Sequence, residues 1–434
     1  MKKIGLFLVI ILTANILLLY SHSGNRGPFE FDYNYIKINK YMGIRVNPDA
    51  FTFIGVAINP GYLFQDGYLR QSRPVYALIG SVIGYSIYYA TYPLHAVFER
   101  EMKKSLDLRG TKSEENKGVL YFCFYLGYVL LNFLILLCSL LLFDRLIHIT
   151  SGYWKNGKLL YILILLMIAG NHETKYFFWT PHQQLFNILT PLLSLYAGIK
   201  IIQNHIPSSK LFLYSFLSGC ALLIYGNFLL LFITILASGL YIFLKNNQLN
   251  YRAIIIRLTV MIFLFSIPTV SWILFLKSKG INFTSSELDV YRQFIWIADA
   301  TKVSPQYLFY SGAVNTWYFL QTFGSLLLPL LLLLITVLYF LKNNISFSVL
   351  TQRIAFIPFV ICIAHVLFFW LLGYYADRLT FSLVPFILYY FILLINQQKV
   401  DKKLEAALIL SSCISFLWIV FFEAPHFSTR LLLN

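Results

Sequence analysis

Eleven apolar runs divide the chain, at 4–20, 74–98, 119–149, 159–170, 184–202, 211–244, 258–276, 322–341, 354–375, 379–396 and 405–422. A helix of about 20 apolar residues spans a bilayer, and a shorter one does so when neighbouring protein buries it. The runs at 119–149 and 211–244 hold 31 and 34 residues. Each is too long for one simple crossing and just long enough for two compressed ones. Asn132 and the pair Gly226-Asn227 sit where the polar turns would then fall.

Basic residues orient such chains. Lys2 and Lys3 put the N-terminus in the cytoplasm. The segment 99–117, with Arg100, Lys103, Lys104, Arg109, Lys112 and Lys117, belongs on the same side, as do the loops carrying Lys245/Arg252/Arg257, Lys342/Arg353 and Lys399/Lys402/Lys403. Counting from the two termini agrees only if both long runs cross twice. The expectation is an all-α polytopic integral membrane protein of about 11–13 transmembrane helices, ending outside. The first run reads as a retained span, because it ends in Leu-Leu-Tyr-Ser-His-Ser without the small-x-small site at which a signal peptide is cut.

Composition agrees. Of 434 residues, 59% are hydrophobic and 12% charged, with mean hydropathy +0.70. That excludes a soluble enzyme, a disordered chain and a disulfide-built scaffold. The net charge of +16 is a matter of topology, not of nucleic-acid binding, since no run of five basic residues occurs. The five cysteines lie within apolar runs, form no CxxC pair and act as small hydrophobes.

The chain reads as one transmembrane domain with three polar stretches on the external side: 21–73, 171–183 and 277–321. Loops as long as the first and third are usually functional; the third suits a lid. In the first, Asn47-Pro48-Asp49 reads as a helix start: an N-cap, a proline at the first helical position and an acid in the first turn. Phe51, Ile54 and Ile58 follow at helical spacing, and Asn59-Pro60-Gly61 stops this short amphipathic helix. The positive helix end keeps Asp49 ionised, as a general base must be. Arg70 and Arg73 stand three apart before Pro74, and two forked cations at headgroup level suit a phosphate.

The stretch from Asp49 to Leu78, above all Arg70-Gln71-Ser72-Arg73-Pro74-Val75-Tyr76, resembles the first external loop of the GT-C superfamily of membrane glycosyltransferases; Ala77 stands where a second proline would be expected. The resemblance covers about 30 residues firmly and the span layout loosely. It implies an inverting transferase of the bacterial inner membrane that moves a sugar from a polyprenyl-phosphate donor to a glycan or lipid acceptor on the external face. An acid of the first loop activates the acceptor hydroxyl; by position that is Asp49, with Asp66 and Asp32 as fallbacks.

Other polar points share that side. Asn171-His172-Glu173-Thr174-Lys175-Tyr176-Phe177-Phe178-Trp179-Thr180-Pro181-His182 mixes aromatics with amides and histidines, which suits a sugar as well as an interfacial belt. His172, Glu173 and His182 lack metal-ligand spacing, so neither a metal nor another cofactor is called for. Arg292, among Glu287, Asp289, Tyr291, Trp296 and Asp299, is a candidate phosphate contact, and so is Arg378 before the Pro385 span. His365 lies within an apolar run, where a histidine is expensive and often functional. No P-loop, GxGxxG with its following acid, HExxH or GxSxG occurs, and the cytoplasmic loops leave no room for a nucleotide-binding domain. Two alternatives stay open. A polysaccharide polymerase or ligase would lean on external arginines and a histidine. A flippase for lipid-linked oligosaccharide would string charges through its spans, where few occur.

Overall fold

The computed structural model describes residues 2–20, 35–37, 43–45, 47, 49–100, 118–204, 206–245, 250–285, 289, 291–397, 399–422 and 430–431. Asp32, Glu287 and the basic residues from Lys103 to Lys117 lie outside these. The chain is an all-α bundle. Seven helical segments are long and apolar enough to cross a membrane: Gly118–Ile149, Gln183–Asn204, Phe228–Lys245, Tyr251–Ser278, Pro305–Lys342, Asp377–Ile395 and Lys402–Phe421. Shorter apolar helices cover Lys3–Leu17, Asp49–Ile58, Lys158–Ala169 and Ala355–Leu371. Extended pairing is confined, among the described residues, to Tyr35–Lys37 with Gly43–Arg45 and Tyr374–Tyr375 with Arg430–Leu431.

The helices that matter for the site are α1 (Lys2–Leu17), α2 (Asp49–Ile58), α3 (Pro74–Ala90), α4 (Gly118–Ser151), α5 (Lys158–Ala169), α6 (His172–Phe177), α7 (Phe186–Asn204), α8 (Ser208–Leu222), α9 (Phe228–Lys245), α10 (Tyr251–Ser278), α11 (Ile295–Val303), α12 (Pro305–Gln321), α13 (Leu327–Lys342), α14 (Arg353–Leu371), α15 (Asp377–Thr380), α16 (Val384–Ile395) and α17 (Lys402–Phe421). Their most enclosed members are α7 and α16. Leu192 and Leu195 of α7 and Leu388 and Phe391 of α16 join Leu140 and Phe143 of α4 in one core.

Polar contacts mark two ends of this bundle. At one end Lys3 Nζ pairs with Asp144 Oδ1 at 3.0 Å, the Tyr161 hydroxyl donates to the same oxygen, and the Gly157 amide donates to Glu405 Oε1. At the other, the Asn15 amide donates to the Ala169 carbonyl, and Trp179 Nε1 donates to the Asn15 carbonyl. The two long runs behave differently. The 211–244 run does reverse at Gly226-Asn227, between α8 and α9. The 119–149 run does not: α4 is a single 34-residue helix, about 50 Å long at 1.5 Å per residue. Asn132 is no turn. It sits mid-helix, fully buried, with its amide aimed at carbonyls of another segment.

That correction moves a loop. The Gly118 end of α4, where the described chain resumes after the basic segment, is about 40 Å from Asp144, so it and the Lys3 contact stand at opposite ends of α4. The charge count had put them together. The N-terminal half of α4 instead packs antiparallel on α3, Gly84 against Phe124 and Gly80 against Tyr128.

Candidate functional site

Asp49 opens α2. Asn47 Oδ1 accepts the Asp49 N–H at 2.8 Å, which satisfies one of the amide groups a helix start leaves without an intrahelical partner. The far end of α2 is held by hydroxyls of the next two helices: Ser81 Oγ donates to the Ala57 carbonyl at 2.6 Å and Tyr85 to that of Ile58 at 2.8 Å, while Tyr128 donates to that of Phe53 at 3.2 Å. Ala50, Phe53, Ile54, Val56 and Ala57 are buried beneath it. The helix is therefore fixed along its length, and its first carboxylate stands at a set place. The Asp49 side chain is 40% exposed.

Two side chains from distant segments meet that carboxylate. Arg70, in a 3-10 turn at Leu69–Ser72, places Nη2 2.7 Å from Asp49 Oδ1. Its Nε and Nη2 also donate to Thr52 Oγ1 at 3.0 and 2.8 Å, and its guanidinium lies 4.2 Å from the centre of the Phe53 ring. Thr52 in turn donates to the Asp49 carbonyl at 2.7 Å. His182 brings Nε2 to 3.6 Å from Asp49 Oδ2. The Gln184 N–H donates to His182 Nδ1 at 3.2 Å, so the imidazole carries its proton on Nε2, facing the carboxylate. The ring is buried between Phe53 and Phe177.

His182 is held by a bolted loop. Asn171 and Thr174 form a reciprocal capping box at the start of α6. Past its end, the Asn132 amide donates to the carbonyls of Phe177, Phe178 and Thr180 at 2.9, 3.0 and 2.8 Å, and the Tyr125 hydroxyl donates to that of Trp179.

The ionisation of the pair follows. Burial raises the Asp49 carboxyl, but the hydrogen bond with His182 and the charge of Arg70 outweigh it and hold the group well below the usual carboxylate range. Burial lowers His182, against the pull of Asp49, to about 4, helped by the charges of Arg378 and Arg70. At neutral pH Asp49 is an anion and His182 a neutral donor.

A second cluster adjoins the first. Arg378, in α15, donates from Nη2 to the Tyr374 hydroxyl at 2.8 Å, while its carbonyl accepts from Asn187 Nδ2 at 2.6 Å. Asn187 Oδ1 accepts from the Tyr225 hydroxyl and from Asn227 Nδ2, which ties the turn between α8 and α9 to this point. The Arg73 guanidinium lies 5.4 Å from the Tyr225 ring centre. Glu173 is buried within electrostatic reach of Tyr225 and Arg378. Arg378 and Arg70 both act on His182, so the two clusters form one charged region.

The chain matches no known family model, no curated protein and no solved structure in these comparisons.

Of the residues singled out in the sequence, Asp49, Arg70, Arg73, Glu173, His182 and Arg378 come together. Asp66, His172 and Arg292 do other things. Asp66 Oδ1 accepts the Asn282 N–H at 2.8 Å, clasping the first loop to the segment after α10; Gln71 does the same by accepting from Thr284. His172 packs on Tyr176 and, with Asn171, borders a separate, mostly apolar cavity of about 320 Å³ between α5, α13, α16 and α17. Arg292 pairs with Asp299 on the surface; it is its neighbour Tyr291 that reaches inward, its ring 4.7 Å from that of Tyr374. Thr52 and Asn187 are not among the residues the sequence singles out. Thr52, one turn after the acid on the same helix face, carried a legible signal; Asn187 did not. Among the described residues no three His, Cys, Asp or Glu side chains group as metal ligands do.

Proposed function

We propose that the protein is an inverting glycosyltransferase that takes a sugar from a polyprenyl-phosphate donor and places it on a hydroxyl of a glycan or lipid acceptor. The observation that carries the reading is a half-exposed, ionised Asp49 paired with Arg70 and facing His182, on which Arg378 also acts, at one end of an apolar bundle. Asp49 takes the acceptor proton. The hydroxyl oxygen bonds to the anomeric carbon as the bond from that carbon to the phosphate oxygen breaks on the opposite face, inverting the centre. Polyprenyl phosphate leaves with the electron pair, and Arg70, Arg73 and Arg378 neutralise its added charge. A lipid-linked donor brings its own leaving group, so placement and charge neutralisation suffice.

In this reading the site faces the external side of a bacterial inner membrane. The basic residues Lys3, Lys155, Lys158, Lys402 and Lys403 gather at the opposite end, where cytoplasmic loops carry their Lys and Arg.

The test is direct. Purified protein incubated with polyprenyl-phosphate sugars and candidate acceptors should release free carrier phosphate and form product, and Asp49→Asn should abolish both. Wild-type activity in that variant removes the assignment. A second reading, a polymerase or ligase acting on pyrophosphate-linked glycan, is favoured by the buried histidine beside several arginines; release of carrier pyrophosphate from such substrates would select it.

A further inference from the structure

The Asp49–Arg70 ion pair poses a chemical difficulty for a base. A carboxylate paired with a guanidinium at 2.7 Å and faced by an imidazole N–H at 3.6 Å holds its charge comfortably and has little tendency to take a proton from an alcohol. We infer that Arg70 is a shared cation: without ligand it serves Asp49, and on binding an anionic phosphate it transfers to that group, leaving the carboxylate free to act. This rests on the lipid-phosphate reading above and adds the order of events within it.

The geometry around Arg70 allows such an exchange without moving the arginine far. Its plane is set by Phe53 beneath it and by Thr52 Oγ1, which takes two of its N–H groups. Neither contact depends on Asp49. No described residue accepts from Nη1, so the Nη1–Nη2 edge presents Asp49 on one nitrogen and open donors on the other. That edge is the one on which a guanidinium takes a phosphate by two parallel bonds. Arg70 is 9% exposed while Asp49 is 40% exposed, so an incoming anion meets the carboxylate side of the pair first. Arg73 and Arg378 add positive charge that a dianionic phosphate uses better than a monoanionic carboxylate. The phosphate, once bound, also stands as a like charge beside Asp49, which makes the carboxylate more basic. Arg70 faces Oδ1 and His182 faces Oδ2, so Oδ1 is the oxygen released.

The exchange is competitive, and competition has a measurable sign. Phosphate must displace Asp49 from Arg70, so removing the carboxylate should tighten phosphate binding. The experiment titrates the full chain in detergent with a two-isoprene alkyl monophosphate, and separately with inorganic phosphate, following heat release. Asp49→Asn and Asp49→Ser should each bind about tenfold tighter than wild type, and Arg70→Met combined with either should return affinity to wild type or below. Both neutral variants are made because the carboxylate joins two elements; thermal unfolding identifies which is folded, and either suffices. Unchanged or weaker binding in a folded neutral variant overturns the shared-cation inference while leaving the lipid-phosphate reading standing. Binding of the isoprenyl phosphate without inorganic phosphate marks the lipid as the source of the anion. No binding of either probe by wild type or the variants overturns both readings.

Discussion

The side-chain amide of Asn132, midway along α4, donates to the carbonyl of Thr180, two residues before His182, at 2.8 Å. The same nitrogen reaches the carbonyls of Phe177 and Phe178, so one buried amide closes the C-terminal end of α6 and sets where the imidazole begins. Asn132→Leu should remove this donor from the three carbonyls in an apolar interior, a loss of about 1–3 kcal/mol. We expect a lower unfolding temperature in detergent and a fall in transfer rate larger than the change in donor affinity. Steady-state kinetics on the folded variant separate the two. A fall in affinity alone would place Asn132 outside the positioning of His182.

The close approach of α3 and α4 leads to a second prediction. A Cβ on Gly84 would stand 2.6 Å from ring atoms of Phe124, and one on Gly127 would stand 3.2 Å from the Gly84 nitrogen. Small residues let helix backbones meet closely where the hydrophobic effect gives little drive between helices in lipid. Gly84→Val should push α3 from α4 and, through Ser81 and Tyr85, disturb the end of α2. Both thermal stability and transfer should drop, whereas valine at Gly5, whose added Cβ meets nothing within 4 Å, should change neither.

What the sequence made legible, and what it hid, divides along a physical line. The start of α2 at Asp49 and the reversal at Gly226-Asn227 are local events, written in N-cap, first-turn acid and turn residues within a few positions. Hydrophobic runs mark apolar helices, seven of them among the described residues long enough to cross a membrane, because burial in lipid is a property of the run itself. Asn132 misled because a polar residue in an apolar run is satisfied either by water at a turn or by carbonyls from elsewhere, and periodicity cannot tell which. Reading it as a turn puts Gly118 on the side of Lys3, when α4 holds the two apart. The meeting of Asp49 with His182 was equally hidden, since it depends on how α6 packs against α4. Arg70 lay closer, and its three-residue spacing to Arg73 was visible, but its tie to Thr52 required the turn geometry at Leu69–Ser72.

Acidification provides a third prediction. His182 in the folded protein is lowered to about 4 from an ordinary 6.5 by burial, so between those values the unfolded chain binds a proton that the folded one does not. Stability therefore falls as pH drops from about 6.5 to about 4. Asp49, held below its ordinary value despite burial by His182 and Arg70, adds stability that is present above about 4 and lost as pH falls further. Unfolding temperature should decline from pH 7 to pH 4.5, and His182→Gln should flatten the decline. Transfer should show no inflection near 6.5, because the imidazole stays neutral there. An inflection at that pH, lost in His182→Gln, would mean the ring titrates in the folded protein.

On the proposed function, Arg378 tests whether the cluster would recognise phosphate by shape or by charge alone. Its carbonyl is held by Asn187 and its Nη2 by Tyr374, so the residue is anchored at both ends and the remaining guanidinium edge has a fixed direction. Lysine keeps the charge but loses the planar fork and the bond to Tyr374. Arg378→Lys should therefore raise KM for the lipid donor about tenfold with a smaller change in kcat, and Arg378→Met should raise it further. Tyr374→Phe should resemble a mild form of the lysine variant, since it removes one bond to the fork and leaves the charge. If lysine matches wild type while methionine fails, Arg378 supplies only field, and the two-bond contact belongs to Arg70. If both match wild type, the donor phosphate does not reach α15, and the site closes around Asp49, Arg70 and Arg73 alone.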